Sequence, residues 1–371
     1  MSINPLKALG GLGQSVWYDN IHRTMLTDGE LERLVREDGL KGITSNPTIF
    51  EKAMSAGHAY DQAIADAVAR HPDWDAEELF NHLAVADIRD AADVLRPVYE
   101  ASGKTDGYVS IEVSPTLAHD AEGTVAEALK LATWVDRPNV MIKVPATEAG
   151  LPAIEALIDR GVSVNVTLLF AVERYAAVAE AYIRGLESRA RRGEPLGHIA
   201  SVASFFVSRV DTAVDKELDA QPQFHELRGK AAIANARAAY RLFLDLFDGP
   251  RFAALRGQGA QAQRLLWAST GTKNPAYSDV LYVEELIGDR TVTTLPPATY
   301  DAYKDHGEPA PRLMAGLDGA PEVLARLRAA GIDLAGVTAR LEREGIDAFV
   351  DSYRNLLGAL RDKMTGLANA S

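Results

Sequence analysis

No cysteine occurs among the 371 residues, which excludes disulfides, thiolate metal sites and a cysteine nucleophile. Basic residues are in deficit: Lys+Arg 39 against Asp+Glu 52 gives a formal net charge of -13. That field opposes non-specific binding to nucleic acid or anionic membranes, and it would repel a phosphate. A phosphate-bearing ligand would therefore need local cations or helix N-termini of its own. No apolar run approaches the roughly 20 residues that span a bilayer. Met1–Ser2–Ile3–Asn4–Pro5 lacks a basic region followed by an apolar core, so no secretory signal is expected. Together with the missing cysteine, this suits a cytoplasmic location. The 8 histidines are scattered without HExxH spacing, and no GxGxxG opens a helix after a strand, so metal and dinucleotide sites gain no support.

What is present is a soluble globular composition, 47% hydrophobic and 25% charged. Short β-branched runs alternate with longer Ala/Leu/Glu/Arg-rich stretches. The candidate strands are 16–20, 41–45, 108–113, 140–144, 162–168, 199–207, 264–269 and 290–295. Between them the pattern predicts helices over 84–99, 124–134, 150–159, 171–191 and 230–247. Strand–helix alternation implies an α/β fold with a parallel sheet, and eight units in this length favour a closed (β/α)8 (TIM) barrel. His71–Pro72–Asp73 and Arg96–Pro97 punctuate a long, multi-helix connection between the second and third strands. After Pro296–Pro297 the chain reads as charged helices through to Ser371, with the segment from about 310 covering the barrel. Without linker composition or repeats, one domain over 1–371 is the expected organisation.

Lys143 stands out within this pattern. It lies in Asn139–Val140–Met141–Ile142–Lys143–Val144–Pro145–Ala146–Thr147, an apolar run that reads as a buried strand. Desolvation there favours a neutral amine, which is the nucleophile for Schiff-base formation on a carbonyl. The alternative is a lysine at a strand's end whose ammonium snorkels to water.

Polar residues elsewhere in the apolar strands need the same scrutiny, because parallel strands covered on both faces should be nearly continuous in hydrophobicity. Residues two apart share a face. By that alternation Ser110 lies with Glu112, Ser163 with Asn165 and Thr167, Trp17 with Asp19, Thr44 with Asn46, Ser204 with Phe206, and Trp267 with Ser269. Much of this polarity gathers at the C-terminal strand ends, where barrel active sites are built. Each residue alone could be structural: one half of a buried ion pair, or a partner for backbone groups. Burying a lysine with two carboxylates and several neutral polar groups for structure alone would be costly. Lys143, Glu112 and Asp19 form an acid/base set for carbonyl chemistry, and the carboxylates, if near, would oppose desolvation by favouring the ammonium.

Assembled in order, these segments resemble the transaldolase family. The matching motifs are Trp17–Tyr18–Asp19–Asn20–Ile21, Gly42–Ile43–Thr44–Ser45–Asn46–Pro47–Thr48, Ser110–Ile111–Glu112–Val113, the Lys143 strand and Asn165–Val166–Thr167–Leu168–Leu169–Phe170. The loop lengths are similar to the larger bacterial members and not to the compact fructose-6-phosphate aldolases. The resemblance implies transfer of a dihydroxyacetone unit from sedoheptulose 7-phosphate to glyceraldehyde 3-phosphate, in the non-oxidative pentose phosphate pathway and without a cofactor. It implies that Lys143 forms the Schiff base, Asp19 takes the C4 hydroxyl proton, and Glu112 and Thr167 hold the water of imine formation. Asn46, Asn165 and Ser204 would bind donor hydroxyls. Ser204–Phe205–Phe206–Val207–Ser208–Arg209 would place Arg209 at the phosphate, with Phe205 where the family carries proline. In Ala268–Ser269–Thr270–Gly271–Thr272–Lys273 the expected arginine is missing. Lys273 is then either the second phosphate cation, a point charge in place of a bidentate fork, or a plain surface lysine.

Sugar phosphates are the implied partners, with no nucleic acid or membrane, for a monomer or homodimer. Two rival readings are an aldolase that releases the free ketone and a noncatalytic sugar-phosphate-binding barrel. Of the remaining features, His22 reads as a loop residue near Asp19 and Gly10–Gly11–Leu12–Gly13 as a turn. The arginines of 184–192 read as a solvated helix face, and the Ala320 segment as an amphipathic packing helix ending before Gly331.

Overall fold

The computed structural model describes residues 4–55 and 57–368. Met1 to Ile3, part of the stretch read for a targeting signal, and the C-terminal Ser371 lie outside the described residues. Eight parallel strands close into a barrel in sequence order: β1 (Gln14–Tyr18), β2 (Gly42–Ile43), β3 (Tyr108–Glu112), β4 (Val140–Pro145), β5 (Val164–Leu169), β6 (Ser201–Phe206), β7 (Arg264–Ala268) and β8 (Thr291–Leu295). Helices lie between the strands, so the fold is the expected (β/α)8 barrel.

Each strand falls where the hydrophobic pattern put it, with shifts at the ends. β2 is the shortest, because Asn46 already caps the next helix, Pro47–Ser55, whose first residue is proline. The Thr44 amide still donates to the Tyr18 carbonyl, and Ser45 Oγ to the Ser110 carbonyl, so the chain keeps its place in the wall beyond the ladder. Gly42 is required here. A Cβ at that position would fall 2.5 Å from the Trp17 ring, which fills the barrel interior.

The connection after β2 carries helices Pro47–Ser55, Asp61–Arg70 and Ala76–Ala101. The last begins eight residues before the expected 84, at a capping box formed by Asp75 and Glu78. Pro97 does not break it. The helix runs through this proline to Ala101, so Arg96–Pro97 is no boundary. Beyond β8 come Pro297–His306, Arg312–Ala315, Ala320–Ala329 and Leu334–Ala368. The Leu334–Ala368 helix returns across the barrel and packs mainly on Pro47–Ser55 and Ala76–Ala101. No helix among the described residues is long and apolar enough to cross a membrane.

The end of the barrel formed by the strands' N-termini is closed by a polar plug. Asp106 accepts from Ser15 Oγ at 2.7 Å and from Trp17 Nε1 at 3.3 Å, and pairs with Arg264 at 3.0 Å. The opposite end is open.

Candidate active site

Neighbouring strands align Glu112 with Lys143 and Lys143 with Asn165, a single row across β3, β4 and β5. Lys143 has a side chain only 5% exposed; its Nζ lies 3.3 Å from Glu112 Oε2 and donates to the Ser45 carbonyl at 3.0 Å. Burial pushes the Glu112 carboxyl above the ordinary range, more than the adjacent Lys143 pulls it down, and Asp19 adds repulsion.

Asp19 follows directly on β1. It accepts from Thr44 Oγ1 at 2.6 Å, and Thr44 Oγ1 lies 2.7 Å from Thr294 Oγ1 on β8. Since the Thr44 hydrogen points to Asp19, Thr294 is the donor in the second contact. Burial raises the Asp19 carboxyl too, against the attraction of Lys143, the Thr44 hydrogen bond and the more distant Arg209. Burial thus outweighs the nearby amine and raises both carboxyls.

Lys143, Asp19, Thr44 and Thr294 face a cavity of about 600 Å³, a normal size for a small-molecule site. Its wall includes Asp19, Asn46, Lys143, Thr167, Ser204, Phe206, Arg209, Ser269 and Lys273. Glu112 and Asn165 stand behind it. Glu112 meets the cavity through Lys143. Asn165 is fully buried, donates to Ser110 Oγ at 3.0 Å and accepts from Ser204 Oγ at 2.7 Å. Its amide is therefore engaged in aiming Ser204. Asn46 uses its Oδ1 to cap Pro47–Ser55 by accepting from the Ile49 amide.

Backbone irregularities sharpen the rim. Leu168, next to Thr167, has φ 59°, and the β5–β6 register shifts between Val166 and Leu169. Ser269 has φ 54°. That turn breaks the alternation expected for β7. Arg264 reaches Ser15 and Asp106 inside the barrel, so residues 264, 266 and 268 are the inward set. Trp267 instead packs edge-on against Phe205 and donates to the Leu286 carbonyl. Ser269 reaches the cavity through its own positive φ, and not by sharing a face with Trp267.

Arg209 opens helix Ser208–Leu218 and lies 5.4 Å from the centre of the Phe206 ring. Burial pulls its guanidinium below the ordinary value, while Asp19 and Glu344 act in the other direction. Among the described residues no carboxylate lies within ion-pair distance of it. Lys273 is exposed at the rim. His22 caps the short helix after β1, its Nδ1 accepting from the Met25 amide. Arg184, Arg189 and Arg192 are paired with Glu155, Glu194 and Asp159. Among the described residues no group of three or more His, Asp or Glu side chains is arranged to hold a metal ion.

Three contributors escaped the sequence reading of the site. Thr294 could have been found by applying the same polarity test to β8. The Ser45 carbonyl, as a backbone group, carried no signal. Phe349 looked like any apolar position on an amphipathic helix, yet its ring centre is 5.9 Å from Lys143 Nζ.

Compared with known families, residues 16–360 match the one described as Transaldolase/Fructose-6-phosphate aldolase. This chain belongs to that family. A transaldolase of Thiobacillus denitrificans is 48% identical over 360 residues, covering 96% of this chain and all of its own. One from Saccharopolyspora erythraea is 49% identical, with 97% of each chain covered. One from Mycobacterium marinum is 48% identical, with 99% of each covered. The family match contains every site residue named from the sequence, from Asp19 to Lys273.

Proposed function

We propose that this chain is a transaldolase that carries a dihydroxyacetone unit on Lys143 from sedoheptulose 7-phosphate to glyceraldehyde 3-phosphate. The observation that carries the reading is the buried Lys143 amine beside Glu112, facing a cavity that also holds Asp19. The amine attacks the donor's C2 carbonyl, and the carbinolamine hydroxyl leaves as water with a proton from Glu112. A carboxyl whose acid form is favoured by burial suits that task. Asp19, as carboxylate, takes the C4 hydroxyl proton; the C3–C4 bond breaks and its electrons pass into the imine, giving an enamine and free erythrose 4-phosphate. The acceptor aldehyde then reverses these steps. C–C bond formation takes the proton back from Asp19, and hydrolysis frees fructose 6-phosphate.

Several details support the remaining assignments. Glu112 Oε2 makes no hydrogen bond beyond its oblique ion pair, and Thr167 Oγ1 makes none, among the described residues. Buried polar atoms of this kind are suited to hold the reaction's water. Ser204 and Asn46 on the wall suit donor hydroxyls, with Asn165 acting through Ser204. Arg209 suits the phosphate: it is charged at any working pH, partly desolvated and unpaired. Lys273 and Ser269, both on the cavity wall, fit as the second, weaker contact. The reading assigns no cofactor and a cytoplasmic, single-domain enzyme working as monomer or homodimer.

The test is borohydride reduction in the presence of fructose 6-phosphate, followed by peptide mass mapping. A three- or six-carbon adduct on Lys143, absent in Lys143→Ala together with turnover, is the expected result. An adduct elsewhere, or normal turnover by the variant, refutes it. Product release that requires an acceptor aldose phosphate separates transfer from simple aldol cleavage.

A further inference from the structure

We infer that Phe349, on the C-terminal Leu334–Ala368 helix, decides whether the lysine-bound three-carbon intermediate is transferred or lost as free dihydroxyacetone. The inference rests on the transaldolase reading above. Phe349 is 4% exposed, lines the cavity and lies 5.9 Å from Lys143 Nζ by ring centre. That distance is at the outer limit for a cation–π contact, so the ring acts chiefly as an apolar wall beside the reacting nitrogen.

The helix is held where this wall is needed. Ser352 and Thr48 hydroxyls meet at 2.8 Å, Tyr353 OH donates to Glu77 Oε1 at 3.0 Å, and Arg174 pairs with Glu342 at 3.5 Å. Gly345, one turn before Phe349, permits the approach: a Cβ there would fall 2.9 Å from Leu168 Cδ2 and 3.7 Å from Arg209 Nη1. Residues 342, 345, 349, 352 and 353 recur at helical spacing, so one face of a single helix carries both the anchors and the wall.

The chemistry gives that wall a purpose. After C–C cleavage the enamine must wait for an aldehyde. Loss requires a proton on C3, supplied by Asp19 or by water, which regenerates the iminium. Water then adds at C2, the C–N bond breaks, and dihydroxyacetone leaves with Lys143 restored as the amine. Protonation of C3 is the step unique to loss, and an apolar ring beside the nitrogen denies it bulk water, whereas the hydrolysis shared with transfer uses the water held at Glu112 and Thr167. The aldehyde enters from the open side, where Arg209 can hold its phosphate.

The experiment compares wild type with Phe349→Ala and the milder Phe349→Leu, which keeps an apolar side chain should the alanine variant fail to fold. Fructose 6-phosphate is supplied alone to measure dihydroxyacetone release, and with erythrose 4-phosphate to measure transfer. The ratio of release to transfer should rise at least about tenfold in the alanine variant, equal to about 1.4 kcal/mol between the two barriers. The leucine variant should rise less, in the same direction. A purely structural role would lower both rates together. An unchanged ratio in the folded variants, with the Lys143 adduct still trapped, overturns the inference alone. No adduct in the wild type overturns the functional reading and the inference with it.

Discussion

Asp19 and Glu112 are both carboxyls raised by burial beside one amine, and their hydrogen bonds tell them apart. Glu112 pairs with Lys143, the proposed nucleophile, whereas Asp19 is aimed by Thr44 and faces the cavity. Asp19→Asn keeps an acceptor for Thr44 but loses the base. Expected is a fall in kcat of about 10²–10⁴-fold, with borohydride trapping of the donor on Lys143 retained. Equal loss of trapping and cleavage would remove Asp19 from the proton-transfer role. At this scale the sequence was informative because a charged residue within an apolar strand is conspicuous. Lys143, Glu112 and Asp19 were legible for that reason, whereas the row shared by the first two appears only in the register of β3 on β4. Hydrogen-bond direction was not legible. Asn165 has the composition of a ligand-binding residue, and only its contacts with Ser110 and Ser204 put it behind the wall. The φ of Ser269 was equally hidden, since a serine at a strand end gives no sign of a left-handed turn.

Among the elements, helix Ser208–Leu218 and the loop after β7 behave as one support for the two candidate phosphate cations. The Ser208 and Ser269 hydroxyls meet at 2.9 Å, and the Ser208 amide donates to the Ser269 carbonyl at 3.0 Å. Further on, Tyr277 donates to Asp215 at 2.6 Å and Tyr282 to Asp211 at 2.9 Å, fastening the loop that carries Lys273 to the helix that carries Arg209. Arg209 is thus presented rigidly, whereas Lys273 extends from an exposed rim. Arg209→Ala should raise KM for phosphorylated donors by about 10–100-fold, the loss expected for a charged hydrogen-bonded contact of about 1.5–3 kcal/mol. KM for unphosphorylated dihydroxyacetone should change little. Lys273→Ala should have the same selectivity with a smaller effect. A uniform change toward both substrates would place Arg209 outside the phosphate site. Strands and most helices were readable from periodicity because packing enforces it. The return of the last helix onto Lys143 was not, because an amphipathic stripe states that one face is covered without stating by what.

Across the whole molecule the barrel separates stability from chemistry, with an ion network at each end. At the closed end Asp106 holds Arg264 at 3.0 Å, Ser15 at 2.7 Å and Trp17 at 3.3 Å, with Lys41 at 3.9 Å. At the open end Glu112 pairs with Lys143, the proposed nucleophile, at 3.3 Å. The two pairs have similar burial and different consequences. Asp106→Ala leaves the largely buried Arg264 without its acidic partner and removes the acceptor for the Trp17 indole, a loss of about 3–5 kcal/mol of folding stability. Its KM for donor and its borohydride adduct should stay near wild type under conditions where it is folded, since no Asp106 contact reaches the cavity. Glu112→Gln keeps the side chain's shape but removes the proton donor next to the proposed nucleophile and should do the reverse, slowing imine formation with little change in the denaturation midpoint. Urea unfolding of both variants beside single-turnover trapping checks this division. If Asp106→Ala lost imine formation while keeping its stability, the two ends of the barrel would be coupled through the strands, and the closed-end plug would have to be counted as part of the active site.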